Sequence, residues 1–311
     1  MCLLVVAWRT HPRYRVVVAA NRDEFHMRPT APLARWAEPP ILAGRDLQAG
    51  GTWLGLDSRR RFGLVTNFRE LARPRHTAPS RGRLVPGFLA SPLSAPTYLD
   101  TLETDAQGYA GFNLLLGDGE QLVYGSNRAE RFARRLEPGL HGLSNHLLDT
   151  PWPKLRRVRG ALERWIDRAR SDADVDTNAD AEAALAGGAT RRGGARSDAW
   201  SRLAADAEWL MDVFADREYS TAPHDPSSGL SPDWERTLSA PFVLNPDYGT
   251  RCTTVLLIDH EDRTWLGERR FDPAGRTSGQ SESRLNADEW PAAGAQAVTP
   301  PTGNPSGGQR L

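Results

Sequence analysis

The sequence predicts an α+β fold, with strands and helices grouped in blocks along the chain. Three observations carry this reading. Strand-like segments dominate residues 3–145, with one mixed helical stretch at 84–102; two helical patterns follow, near 152–169 and 201–215; two more strand-like segments close the pattern at 249–258 and 264–271. Grouped elements of this kind favour α+β over the βαβ alternation of a parallel sheet.

Residues 3–8 are apolar and β-prone, and residues 14–20 repeat the pattern around Val16, Val17 and Val18. His11-Pro12-Arg13 separates them, so the pair reads as a hairpin. If the turn centres on residues 11–12, Cys2 faces residue 21, and Asn21 and Asp23 share one strand face beside it. A slip of one residue would bring Arg22 and Glu24 there instead. Residues 28–43 hold several prolines and read as a loop. Gly50–Leu56 is a turn feeding a strand, and Phe62–Phe68 holds the next, ending at Asn67. Residues 69–83 are rich in Arg and Pro and read as an exposed loop, and Pro92 and Pro96 interrupt the helical stretch that follows. Segments 112–116 and 121–124 form a hairpin across Gly117-Asp118-Gly119. A short strand at 139–145 ends in Ser144-Asn145.

Pro153 near the start, then Leu155, Val158, Leu162, Trp165 and Ile166 at helical spacing, mark the first long helix. Residues 170–200 are Ser, Asp, Ala, Gly and Arg with almost no large apolar side chain, and read as a disordered or loosely helical insertion. A strand from Gly249 to Ile258 pairs with Thr264–Phe271. The expected domain is therefore 1–271, followed by a Gly-, Pro- and Ser-rich disordered tail at 272–311.

Composition narrows the class of function. Lys+Arg and Asp+Glu both number 39, which offers no electrostatic case for a nucleic-acid partner. Lys154 is the only lysine, read here as compositional bias towards Arg. Two cysteines cannot build a disulfide framework, which fits a reducing, cytoplasmic location. No apolar run reaches the length of a membrane span, and the N-terminal segment lacks a basic leader. No phosphate loop, metal-spaced Cys/His cluster or cofactor motif is visible, so neither cofactor nor metal is expected.

The polar residues at strand ends carry the chemistry. With Met1 removed, Cys2 would hold a thiol and an α-amine on one residue, and a terminal amine is an established base for its own side-chain nucleophile. Asp23 can hold the ammonium, Asn side chains such as those of Asn67 and Asn145 can donate to an oxyanion, and an Arg such as Arg251 can favour a thiolate. Each type also has a plain structural use: Asn in turns, Arg251 in a surface ion pair, Asp23 in a solvated loop.

Met1-Cys2, Asn21-Arg22-Asp23-Glu24, Gly51-Thr52-Trp53, Thr66-Asn67, Leu143-Ser144-Asn145, Asp149 to Lys154 and Tyr248 to Thr254 together resemble the NRDE family, whose animal members are called transport and Golgi organisation protein 2. The resemblance covers residues 1 to about 271. That family is similar to cysteine N-terminal-nucleophile hydrolases of the penicillin V acylase and bile salt hydrolase branch. The resemblance implies an αββα four-layer sandwich, with Cys2 as nucleophile, Asp23 at its amine, Asn67 and Asn145 as oxyanion hole, and Arg251 in support. Those acylases carry an Arg directly before their Asn-x-Asp. This chain has Ala20 there, and Arg22 is read as pointing away from Asn21 and Asp23, so β-strand geometry promises no replacement. The implied activity is hydrolysis of a linear amide or related acyl bond in a small molecule. The alternative is a non-catalytic carrier of a hydrophobic ligand such as haem or acyl-CoA.

Overall fold

The computed structural model describes residues 2–70, 78–185, 195–221 and 229–292. Strands β1 (Cys2–Trp8) and β2 (Tyr14–Phe25) form the expected hairpin. The next five strands are β3 (Thr30–Arg35), β4 (Ile41–Asp46), β5 (Leu54–Asp57), β6 (Phe62–Asn67) and β7 (Phe112–Gly117). Helices α1 (Leu84–Ala90) and α2 (Ala95–Glu103) interrupt them before β7. Then come β8 (Leu122–Ser126), β9 (Ala133–Leu136) and β10 (Gly139–Leu143), followed by α3 (Pro153–Leu185), α4 (Ala195–Val213) and α5 (Pro232–Thr237). Strands β11 (Tyr248–Asp259), β12 (Thr264–Phe271) and β13 (Thr277–Leu285) complete the described elements.

These strands make two antiparallel sheets. One has the order β10-β1-β2-β11-β12-β13; the other runs β3 to β9 in chain order. Alternation along β1 and β2 explains their stacking. Leu4, Val6 and Val18 meet Leu54, Leu64 and Leu115 of the second sheet. Leu3, Val5 and Val17 point the other way, against Leu155, Leu162 and Leu210 of α3 and α4. On the outer face of the second sheet, Ile41, Leu114 and Leu116 pack on Val85, Phe88 and Leu99 of α1 and α2. With both faces covered, β1 reads as an unbroken apolar run, and each buried Leu or Val is worth about 1.5–3 kcal/mol.

Two expectations need correction, and a third, disordered or loosely helical at 170–200, resolves towards helix. The proline-rich stretch 28–43 contains β3 and the start of β4. Pro32 is tolerated because β3 is an edge strand and its pairing with β4 is irregular between Ala31 and Ala34. The stretch 170–200 is largely helical: α3 runs on to Leu185 and α4 starts at Ala195, while 186–194 lie outside the described residues. Ala, Arg and Glu are good helix formers, so helix needs no apolar stripe there. The stretch 272–311 is not uniformly unstructured, because Thr277–Leu285 adds a polar edge strand to β12. The first sheet therefore extends to Leu285, past the expected boundary at 271; residues 293–311 lie outside the described residues. Among the described residues no helix is long and apolar enough to cross a membrane.

Candidate active site

The hairpin register decides which side chains meet Cys2. Trp8 pairs with Val16 and Cys2 with Arg22, so the turn centres on Pro12 and not between residues 11 and 12. Arg9 takes a left-handed φ of 49° and donates its N–H to the Arg15 carbonyl, closing the loop in this register. The half-residue displacement of the turn centre moves the pairing by one residue. Directly paired residues share a sheet face, so Cys2, Ala20 and Arg22 line up on the side facing the second sheet.

Asn21 accordingly turns to the helices, correcting its expected place beside the thiol. Its Nδ2 donates to the carbonyls of Phe214 (2.8 Å) and Pro241 (2.9 Å), and its Oδ1 accepts from Thr253 Oγ1 at 2.6 Å. Arg22 is also corrected: it stands across from Cys2, only 5% exposed. Its guanidinium lies over the Trp53 ring, 4.5 Å from the centroid, donates to Thr30 Oγ1 at 3.3 Å, and sits 3.7 Å from Asp46.

Asp23 is buried at the end of the pairing with β11, where the register breaks between Thr250 and Cys252. Its Oδ1 accepts from Thr250 Oγ1 at 2.7 Å, and its carbonyl accepts from Tyr248 Oη at 2.8 Å. Burial pushes its carboxyl up, against the pull of Lys154 and Thr250. Burial also pushes the Cys2 thiol up, with the Asp23 charge adding to the rise and Arg22 and the Asp23 N–H opposing it.

Asn145 ties the site together. It follows β10 with a left-handed φ of 55°, a conformation Asn tolerates better than most residues. Its Oδ1 accepts from the Cys2 nitrogen at 3.0 Å, its Nδ2 donates to the Asn67 carbonyl at 2.8 Å, and its own carbonyl accepts from Arg69 N–H at 2.7 Å. The carboxamide orientation follows from these neighbours, one a donor and one an acceptor. The ends of β1 and β6, in different sheets, are joined through one side chain. A buried network supports this turn: Asn113 Oδ1 accepts from the Tyr124 hydroxyl at 2.7 Å and its Nδ2 donates to the His146 carbonyl at 3.0 Å. Asp149 Oδ1 accepts from Gly142 N–H at 2.8 Å.

Asn67 borders a cavity of about 470 Å³ onto which Cys2, Arg22, Asp23, Trp53 and Arg81 also open. One wall depends on Gly51: a Cβ there would lie 2.2 Å from the Gly82 carbonyl oxygen, which accepts from Thr52 N–H at 2.9 Å. Arg251 is oriented differently from the other expected site residues. It occupies the irregularity in β11, and its Nη1 donates to the carbonyls of Phe25, His26 and Arg28, holding the β2–β3 turn.

One buried charge beside the site carries no role in the sequence reading. Lys154, in the first turn of α3 behind Pro153, is only 4% exposed, and its Nζ makes no hydrogen bond. Burial pushes its pKa down; Asp23 and Cys2 oppose this, and Arg69 adds to it. The signal was present in the sequence, since one lysine among 39 basic residues is a departure from the chain's own habit.

A profile of the Transport and Golgi organisation 2 family matches residues 1–273. The Bos taurus Transport and Golgi organization protein 2 homolog is 30% identical over 307 residues, covering 92% of this chain and 100% of its own length. The Homo sapiens homolog is 30% identical over 286 residues, covering 86% of this chain and 92% of its own. The Drosophila melanogaster Transport and Golgi organization protein 2 is 26% identical over 299 residues, covering 88% of this chain and 95% of its own. Extended matches of this kind, over every strand but β13 and over the Cys2 cavity, mean that the chain belongs to the Transport and Golgi organisation 2 family.

Proposed function

We propose that this chain is an N-terminal cysteine hydrolase acting on a linear amide or related acyl bond, and that its layered fold is akin to the αββα sandwich of N-terminal-nucleophile hydrolases. The observation that carries the reading is the 3.0 Å contact from the Cys2 nitrogen to Asn145 Oδ1, made beside a cavity onto which Cys2 opens. Hydrolysis of the Met1–Cys2 bond turns that nitrogen into an α-amine, whose unperturbed pKa of about 7.7–8.0 suits a base near neutrality. Asn145 then orients it.

Burial holds the thiol protonated at rest, so activation comes at the moment of attack. Cys2 Sγ bonds to the substrate carbonyl carbon, and the thiol proton moves to the α-amine. The resulting oxyanion takes hydrogen bonds from Asn67 and from the second N–H of Asn145. As the C–N bond breaks, the ammonium returns its proton to the leaving nitrogen and a thioester remains on Cys2. Water then attacks the thioester, releasing the acid and restoring the thiol. Arg22 supplies positive charge on the thiol's own strand face, beside the position where the related acylases place theirs. Asp23 steadies the amine end, and Arg251 acts at one remove by holding the 25–28 turn. The charged cavity wall, with Arg22, Glu24, Arg28 and Asp46, suits a polar acyl compound better than a bulky hydrophobic ligand such as haem.

Intact mass of the native protein, before and after exposure to a panel of activated amides and thioesters, tests the reading. The expected result is a chain lacking Met1 that gains one acyl mass on Cys2. Retained Met1, or a free Cys2 that stays unmodified by every panel member, sinks it.

A further inference from the structure

A second and larger cavity, of about 890 Å³, lies beside the first. That volume is in the range of organic-ligand sites. Arg69 and Ser144 line it, close in sequence to Asn67 and Asn145, so the same strand-end turns separate it from Cys2. It extends from the buried Lys154 to Tyr219, which is 41% exposed. Trp152 and Leu238 supply apolar surface between them.

Charge distinguishes this space. Among the described residues its lining holds Arg69, Lys154, Arg157 and Arg236 against Glu218 and Glu235, four cations to two carboxylates. Three of the cations are engaged: Arg157 pairs with Asp216 and Glu218, Arg69 lies over the Trp152 ring, and Arg236 over the Tyr219 ring. Lys154 is different. Its ammonium is buried without a hydrogen-bond acceptor, an expensive state unless something supplies one. Asp23 attracts it through space but takes no hydrogen bond from it; Arg69 repels it.

We propose that this cavity binds a small organic anion, a carboxylate or phosphate monoester carried on a flat apolar body, with the anion accepting from Lys154 Nζ and the body lying against Trp152 and Leu238. Such a ligand supplies the missing acceptor and offsets the excess positive charge. The site stands apart from acyl transfer at Cys2 and does not rest on it.

Three naphthalene probes of one body and different heads test this on the full chain: 2-naphthoate, 2-naphthyl phosphate and the neutral 2-naphthamide. By calorimetry at pH 7 at least one anion binds about tenfold or more tighter than the amide, as expected of a charge-assisted hydrogen bond, and the tighter of the two anions identifies the head group. Lys154→Met brings that anion and the amide to within about twofold, whereas Tyr219→Ala weakens all three probes and keeps the preference. A measurement without substitution accompanies these. Because Lys154 is the only lysine, labelling with ε-¹³C-lysine gives one side-chain NMR signal, and its titration moves to higher pH when the anion is bound and stays put with the amide. The proposal is overturned if neither anion binds, if neither binds tighter than the amide, or if the tighter anion binds while the lysine titration is unmoved. None of these outcomes bears on whether Cys2 takes an acyl group, which is read separately by mass.

Discussion

Two thiols flank Arg22 on the same sheet face, Cys2 across β1 and Cys252 across β11, and their surroundings differ. Cys252 is 3% exposed among apolar side chains between the sheets, with the buried Glu268 carboxyl beside it. Burial and Glu268 push its thiol well above the usual value. Cys2 is half-buried at the strand end, opens on a cavity, and has its nitrogen held by Asn145. Burial raises both thiols, so neither is a resting thiolate. The difference lies in access and in the Asn145 side chain that holds the Cys2 nitrogen, not in sulfur chemistry or in pairing with an Arg.

Substitution breaks this comparison most directly. Cys2→Ala is expected to abolish acyl-adduct formation by mass, while Cys252→Ala leaves it intact; the reverse result would exchange their roles. Asn145→Gly keeps the left-handed turn and removes both side-chain bonds. It should slow acylation of Cys2 by about 10²–10³, the usual scale for an oxyanion donor, and cost about 1–3 kcal/mol in denaturant unfolding. In the folded protein, iodoacetamide should label Cys2 about a hundredfold faster than Cys252, which reacts only when the inter-sheet core opens; peptide mapping reads the ratio, and equal labelling would end the distinction. Cys252→Ala should cost about 1 kcal/mol, with a fall of about 2–4 °C in Tm.

The smallest effect concerns the turn that carries Asn145. His141 Nδ1 lies 3.5 Å from Asp149 Oδ2. Burial alone would lower the His141 pKa, but Asp149 and the Glu137 carbonyl hold it above its usual value, and Asp149 is held below its own. The raised histidine contributes fully below its unfolded pKa of about 6.5 and loses its contribution as pH rises through the folded value. The depressed aspartate contributes above about 3.9 and loses its contribution as pH falls through its folded value. Wild type should therefore exceed His141→Gln in Tm most between about pH 4 and 6.5, with the gap closing above pH 7. A gap that widens with pH would mean that the pair does not hold the turn.

Much of the fold was legible. The apolar, β-prone runs at 3–8 and 14–20 left little choice but a buried hairpin, and the spacing from Leu155 to Ile166 marked α3. What was lost depended on partners. Pro32 reads as a breaker until β3 is known to be an edge, and β13 buries only Ser281 and Leu285, too faint a pattern to separate from a polar tail. The site was legible as a set of residue types and less so as geometry. Cys2, Asp23 and Asn67 border one cavity and Asn145 holds the Cys2 nitrogen, but the one-residue register exchanged Asn21 for Arg22, because a five-residue loop closed by Arg9 sets it. Lys154 was hidden by composition: in an Arg-rich chain a single lysine looked like chance.

The pairing of β2 with β11 has a consequence for the chain's own manufacture. Cys2 leaves the ribosome long before residue 250, yet the hydroxyl that anchors Asp23 belongs to Thr250 and the strand that covers Arg22 on its far side carries Cys252. The half-built chain therefore has the sulfur without its setting. Strand β11 must emerge before it can close on β2, so a ribosome stalled before residue 250 carries a thiol that has not yet been given its surroundings.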